Sequence, residues 1–151
     1  MFRGETTHTL DPKFRLVVPK RIADQLDRVD DGPTTCVLTR GQDDCIYIYS
    51  KDGFDQALAS LKLAPFTGDE QRAVLRVLLS YTFDGELDGS GRVLVPEKLR
   101  PLLGGEREVA VIGHNDHAEI WGKTAWEQYQ SRNVGLLGRI DRILGGPGGA
   151  T

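Results

Sequence analysis

The sequence predicts an α+β protein made of two tandem copies of one strand-and-hairpin unit, with helices between and after the copies. Three observations carry this. A segment near the N-terminus recurs 77 residues later, each copy is followed by two short β-rich runs flanking a polar turn, and the remaining stretches place apolar residues at helical spacing.

The repeat pairs residues 10–26, LDPKFRLVVPKRIADQL, with residues 87–103, LDGSGRVLVPEKLRPLL. Leu10/Leu87, Asp11/Asp88, Arg15/Arg92, Val18/Val95 and Pro19/Pro96 are identical, and Leu16/Val93, Val17/Leu94, Ile22/Leu99 and Leu26/Leu103 keep apolar character. In each copy Asp-x-x-x-Arg reads as a turn and three apolar residues as a short buried strand. Pro then opens a short helix, where its missing N–H costs nothing. A hairpin follows. Val37-Leu38-Thr39 and Ile46-Tyr47-Ile48-Tyr49 flank one turn, and Val109-Ala110-Val111-Ile112 and Ala118-Glu119-Ile120-Trp121 flank the other. Here the similarity resumes at an offset of 72, with residues 41–45 against 113–117, Tyr49 against Trp121 and Phe54 against Trp126. The difference (77 − 72 = 5) reads as a longer loop at residues 27–35 of the first copy.

Between the copies, Phe54, Ala57, Leu58 and Leu61 share one helical face. Thr67-Gly-Asp-Glu70 has capping-box spacing ahead of Val74, Val77, Leu78 and Tyr81, with Pro65 separating the two helices. After the second copy, Thr124-Ala-Trp-Glu127 is another capping-box candidate, and Val134, Leu137, Ile140 and Leu144 form a last stripe. The organisation is therefore module 1 over residues 5–52, connecting helices over 53–82, module 2 over 83–124 and a C-terminal helix or helices over 125–144. Residues 145–151, GGPGGAT, have nothing to bury and read as a disordered tail.

Composition narrows the function. With 151 residues and 39% hydrophobic content the chain suits one compact domain or two small ones, not a large multidomain enzyme. Lys+Arg 19 against Asp+Glu 22 gives a net charge of -3, so any nucleic-acid role must rest on local charge. No apolar run approaches the roughly 20 residues of a membrane span, and MFRGETTH lacks the apolar core of a signal peptide, so a cytoplasmic location is expected with no membrane partner. Cys36 and Cys45 have neither C-x-x-C spacing nor scaffold density and read as ordinary thiols.

Two groups of residues invite chemistry, and the repeat answers both. His114 and His117 with the two cysteines could in principle complete a zinc site. They align with Gln42 and Cys45, however, so they read as turn or strand-end residues, and no metal or other cofactor is expected. Asp11 and Asp88 could be imagined as paired carboxylates, but each has an arginine four residues on, Arg15 or Arg92, and reads as the organiser of its turn. There is no nucleophile elbow and no phosphate loop, so no catalytic residue, enzyme activity or small-molecule substrate is expected. Charge is unevenly placed: residues 1–21 hold Arg3, Lys13, Arg15, Lys20 and Arg21 against Glu5 and Asp11, a local +3. Residues 84–100 hold Arg92, Lys98 and Arg100 against Asp84, Glu86, Asp88 and Glu97, a local -1. On charge alone two readings stand about even: one repeat faces an anion while the other mainly builds the fold, or both stretches are solvated surface.

The opening MFRGE, the DPKFRLVVPKR and DGSGRVLVPEKLR segments, and the hairpins ending in IYIY and EIW resemble the MraZ family, bacterial transcription regulators associated with the division and cell-wall gene cluster. The match runs from Met1 to about Leu144. The resemblance implies two SpoVT-AbrB-like modules paired as a pseudo-dimer in a swapped-hairpin barrel, and a ring-shaped homo-oligomer. It also implies binding to direct repeats in double-stranded promoter DNA of the family's own operon, usually as a repressor, and hence nucleoid association. By the same resemblance Asp11 and Arg15 occupy the first family motif and Asp88 and Arg92 the second, with Lys13 and Arg15, supported by Arg3, as DNA contacts. Phe14 stands where the family often has a small residue or glycine, Pro12 is not the commonest choice, and Ser90 replaces the cation Lys13 in the second copy. A ring-forming scaffold without specific DNA binding is the alternative from another class; a DNA-binding antitoxin on the same barrel is a third.

Overall fold

The computed structural model describes residues 1–28, 30–61 and 68–145. Strand β1 (Glu5–Thr9) leads through a turn into β2 (Arg15–Val17) and helix α1 (Lys20–Ala23), and a two-residue strand β3 (Asp27–Arg28) precedes the hairpin β4 (Thr34–Arg40) and β5 (Ile46–Tyr49). Helices α2 (Lys51–Ser60) and α3 (Asp69–Ser80) follow. The second copy repeats the order as β6 (Thr82–Glu86), β7 (Arg92–Leu94), a 3₁₀ helix Glu97–Leu103 and the hairpin β8 (Glu108–His114) and β9 (His117–Gly122). The chain ends on α4 (Lys123–Asn133), a 3₁₀ segment Val134–Arg139 and α5 (Ile140–Leu144). The architecture is α+β with antiparallel pairing, and it carries the repeated unit twice.

The two copies exchange their first strands. β1 pairs with β8 of the second copy, while β6 pairs with β4 of the first. The larger sheet runs β1-β8-β9-β5-β4-β3 with β6 also on β4, an open path among the described residues, and β2 pairs with β7 in a separate ribbon. Where equivalent strands of the two copies pair, equivalent residues face each other: Leu16 opposite Val93 in the ribbon and Tyr47 opposite Glu119 between β5 and β9. In the ribbon, alternation does the sorting. Leu16 and Val93 are buried while Val17 and Leu94 are about half exposed, at 50% and 51%. The main core draws Leu10, Leu16, Ile22, Leu38 and Ile48 from the first copy and Leu87, Val93, Leu99, Val111 and Ile120 from the second, and a smaller cluster of Val37, Tyr49 and Phe54 lies at α2.

Several local expectations change. Thr39 lies opposite Thr82 and Ile112 opposite Glu5, so β4 and β8 correspond at an offset of 73 (112 − 39) rather than 72. The insertion at residues 27–35 is accordingly four residues (77 − 73), it contains β3, and the fifth extra residue sits in the first hairpin's turn. The glycines that suggested the other alignment serve different needs. A Cβ on Gly113 would meet the backbone of Arg3 at 2.0 Å, whereas one on Gly41 would meet the Tyr47 ring.

Helix α3 is capped at Gly68, whose N–H donates to the Gln71 side chain, so Glu70 is not the box partner; Thr67 and Pro65 lie outside the described residues. At α4 the Thr124–Glu127 box does not form; the Thr124 N–H donates instead to Glu106. The terminal stripe is split between the 3₁₀ segment, which holds Gly135 and Gly138, and α5. Of the expected tail, residues 146–151 lie outside the described residues. Both cysteines are free and buried, and burial pushes the Cys36 thiol up to about 12. No helix among the described residues is long and apolar enough to cross a membrane.

Candidate nucleic-acid interface

The two Asp-x-x-x-Arg segments form matching turns at the ends of the β2–β7 ribbon. Asp11 accepts the backbone N–H groups of Lys13 and Arg15 through Oδ1 and the Arg15 Nε–H through Oδ2 at 2.6 Å. Asp88 does the same with Ser90 N–H, Arg92 N–H and Arg92 Nε–H, the last at 2.9 Å. Each carboxylate thus bonds the backbone and the arginine of its own turn. Desolvation works against ionisation of Asp11, but the bonds from Arg15 and Lys13 outweigh it and hold its carboxyl below the usual range. The Arg92 backbone N–H leads the same effect at Asp88. Arg92 also reaches across the ribbon to Asp11, with Nη1 3.6 Å from Oδ2.

Each turn needs one left-handed residue, supplied by Gly91 in the second copy (φ 76) and by Phe14 in the first (φ 60). Their carbonyls accept reciprocal bonds across the ribbon, Phe14 from Val95 N–H and Gly91 from Val18 N–H. Phe14 makes the first turn chemically different. Arg100 and Arg107 lie over its ring at 4.3 and 4.4 Å from the centroid, and Arg107 Nη1 donates to the Asp11 carbonyl. Lys13, exposed at the tip, thus stands with Arg15, Arg100 and Arg107 around one loop. In the first copy Ala23 stands where Arg100 does in the second, so the second loop lacks that equivalent cation.

Of the residues singled out by sequence, Asp11, Lys13, Arg15, Asp88 and Arg92 are brought together. Arg3 is not: it lies beyond the other end of β1, a five-residue strand of about 17 Å, beside the second hairpin. Arg100 and Arg107 were missed as partners of the first loop. The only sequence signal was the presence of cations in the second copy, since nothing local indicates that they fold back across the ribbon.

The chain matches the MraZ protein family model over residues 1–77 and again over 78–135. The chain belongs to the MraZ family. Among its relatives are proteins named transcriptional regulator MraZ from Paenarthrobacter aurescens, 38% identical over 93% of this chain and 94% of the relative, and Kocuria rhizophila, 39% identical over 85% and 86%. A third, from Moorella thermoacetica, is 36% identical over 85% and 86%.

This MraZ chain carries a second polar group, on the hairpin β8–β9. His114 ends β8 and His117 begins β9, as strand-end residues, and Glu119 lies two residues on. His117 shares hydrogen bonds with Asp116 through Nδ1 (2.6 Å) and with Glu119 through Nε2 (2.8 Å), and Trp121 Nε1–H donates to Glu119 (2.9 Å). Burial disfavours the charge on each partner, yet the mutual bonds win, so His117 is pushed up and Glu119 down. The group lines a groove of about 1000 Å³ whose far wall is α2 and α3. Cys36 and Cys45 are not part of this group; Cys45 donates its S–H to the Gln42 carbonyl.

Proposed function

We propose that this chain is a DNA-binding transcriptional regulator that represses its own division and cell-wall operon through direct promoter repeats. The observation that carries the reading is the Phe14 loop, where Lys13, Arg15, Arg100 and Arg107 concentrate positive charge on a protein of net charge -3. Arg15 is the base reader. Its Nε–H is held by Asp11, which leaves the outer guanidinium edge oriented for bidentate contact with guanine O6 and N7 in the major groove, a groove wide enough for a two-stranded ribbon. Lys13 acts as a phosphate point charge. Arg3, away from this loop, is a supporting phosphate contact at most.

The exchange of β1 and β6 between the hairpins supports the pseudo-dimeric swapped-hairpin barrel, with residues 5–52 and 83–124 as its two modules. Exposed Val74, Val77, Val134 and Leu137 support assembly into a homo-oligomeric ring, because apolar side chains on α3 and the terminal segment find no cover among the described residues of one chain. In such a ring each loop makes few contacts, and linkage adds them into useful affinity on repeated sites. The test is binding to the protein's own upstream region against a scrambled duplex, across salt concentrations. Preference for the upstream region with a steep negative salt slope supports a regulator. Equal and weak binding to both duplexes would favour the scaffold.

A further inference from the structure

The second hairpin carries residues that the repeat does not require. Where β9 has His117 and Glu119, β5 has Cys45 ahead of it and Tyr47 within it, and Gly41 stands opposite His114 in the comparison of the copies. The fold can therefore be built at this position without a histidine or a carboxylate. One ligand atom from each of His114, His117 and Glu119 lies within 4.8 Å of the others, and the two imidazole rings stack with centroids 4.8 Å apart.

We propose that His114, His117 and Glu119 form a binding site for a divalent transition-metal ion, open toward the groove beneath α2 and α3. Two imidazoles and one carboxylate suit Zn²⁺ and its neighbours rather than Mg²⁺ or Ca²⁺. Donors about 2.0–2.1 Å from a tetrahedral zinc sit roughly 3.4 Å from one another. His117 Nε2 and Glu119 Oε2, 2.8 Å apart, need only a small separation, and exposed His114 closes the triangle by a side-chain rotation. The ion takes the place of the proton between His117 and Glu119, and that proton is released to solvent. The supporting shell is already in position. Asp116 on Nδ1 fixes the His117 ring with Nε2 toward the site, and Trp121 on Oε1 fixes Glu119 with Oε2 toward it. The fourth position faces the groove and takes water or a donor from whatever enters. The site is independent of DNA recognition, since it shares no residue with the Phe14 loop.

The untagged full-length protein, stripped with chelator, is titrated with Co²⁺ and then Zn²⁺. The expected result is one ion per chain, a visible ligand-field band from Co²⁺ that Zn²⁺ abolishes, and no competition from Mg²⁺. His114→Ala should lower Zn²⁺ affinity at least tenfold while the metal-free melting temperature stays unchanged, because His114 is exposed. Asp116→Asn should lower it by about 10–100-fold through the His117 ring. Glu119→Gln should abolish the Co²⁺ band, and if that variant does not fold, His114→Ala decides alone. His8→Asn, on β1 opposite Val109 and five residues along β8 from His114, should leave the stoichiometry at one. Absence of a saturable site in the micromolar range, or His114→Ala binding Zn²⁺ as tightly as the parent, would overturn the proposal.

Discussion

Phe14 offers a test in which the direction of the effect is unusual. It occupies a left-handed position at φ 60 that the second copy gives to Gly91, and a residue with a Cβ costs about 1–2 kcal/mol there. The structure offsets this with two cation–ring contacts, to Arg100 and Arg107, each contributing about 0.5–1 kcal/mol. Phe14→Ala keeps the backbone strain and loses both contacts, so it should destabilise by about 1–2 kcal/mol beyond any loss of packing. Phe14→Gly loses the same contacts but also removes the strain. Glycine's extra freedom in the unfolded chain takes back about 0.4–1 kcal/mol. The glycine variant should therefore be more stable than the alanine variant by about 1 kcal/mol, the reverse of their order at an ordinary position. Urea unfolding reads this as a higher midpoint at an unchanged slope. Both variants free Arg100 and Arg107 from the ring and should weaken promoter binding alike. An alanine variant as stable as the glycine variant would refute the account of this turn.

Three further outcomes follow from the same geometry. Lys13→Ala should weaken binding to specific and unrelated duplexes together and flatten the salt slope by about 0.9 for one lost phosphate contact, read by anisotropy titration at several salt concentrations. Asp11 and Asp88 have carboxyls held below their ordinary value of 3.8, so the stability they contribute is present above that value and disappears as pH falls through the depressed one. Between about pH 7 and about pH 3 the urea midpoint of the parent should drop more than that of the Asp11→Asn/Asp88→Asn variant. Leu16→Ala, at a fully buried position opposite Val93, should cost about 2–5 kcal/mol and leave one unfolding transition by circular dichroism, because the core is shared; two separated transitions would mean the copies fold independently.

The legible parts of this fold were those that a local pattern dictates. Asp11 and Asp88 announce their turns because a carboxylate four residues before an arginine can satisfy both the loop backbone and the guanidinium. Leu16 and Val93 announce a buried strand. The hairpin alignment slipped by one residue because Gly41 and Gly113 look equivalent, and strand residues that are apolar on both faces, such as Val37 and Leu38, tolerate either register. Gly113 is glycine because the N-terminal backbone passes over it, a long-range cause with no local signature. The same holds for Arg107, whose bond to the Asp11 carbonyl spans 96 residues, and for Glu119, which reads as an ordinary strand residue until His117 and Trp121 close around it. The asymmetry between the copies was visible as charge counts; the ring of Phe14 that gathers the second copy's arginines onto the first loop was not.

The central claim is that the first loop reads promoter DNA while the second mainly holds the ribbon together. A footprint on the protein's own upstream region, run with the parent, Arg15→Ala and Arg92→Ala and paired with circular dichroism and size exclusion, tests it most directly. The account predicts regularly spaced protection by the parent and loss of that protection by a well-folded Arg15→Ala, at about 1–3 kcal/mol per engaged module. Arg92→Ala, which breaks the contacts to Asp88 and Asp11, should instead show its effect in stability or assembly. Protection that survives Arg15→Ala unchanged, or is lost equally in well-folded Arg15→Ala and Arg92→Ala, would contradict it.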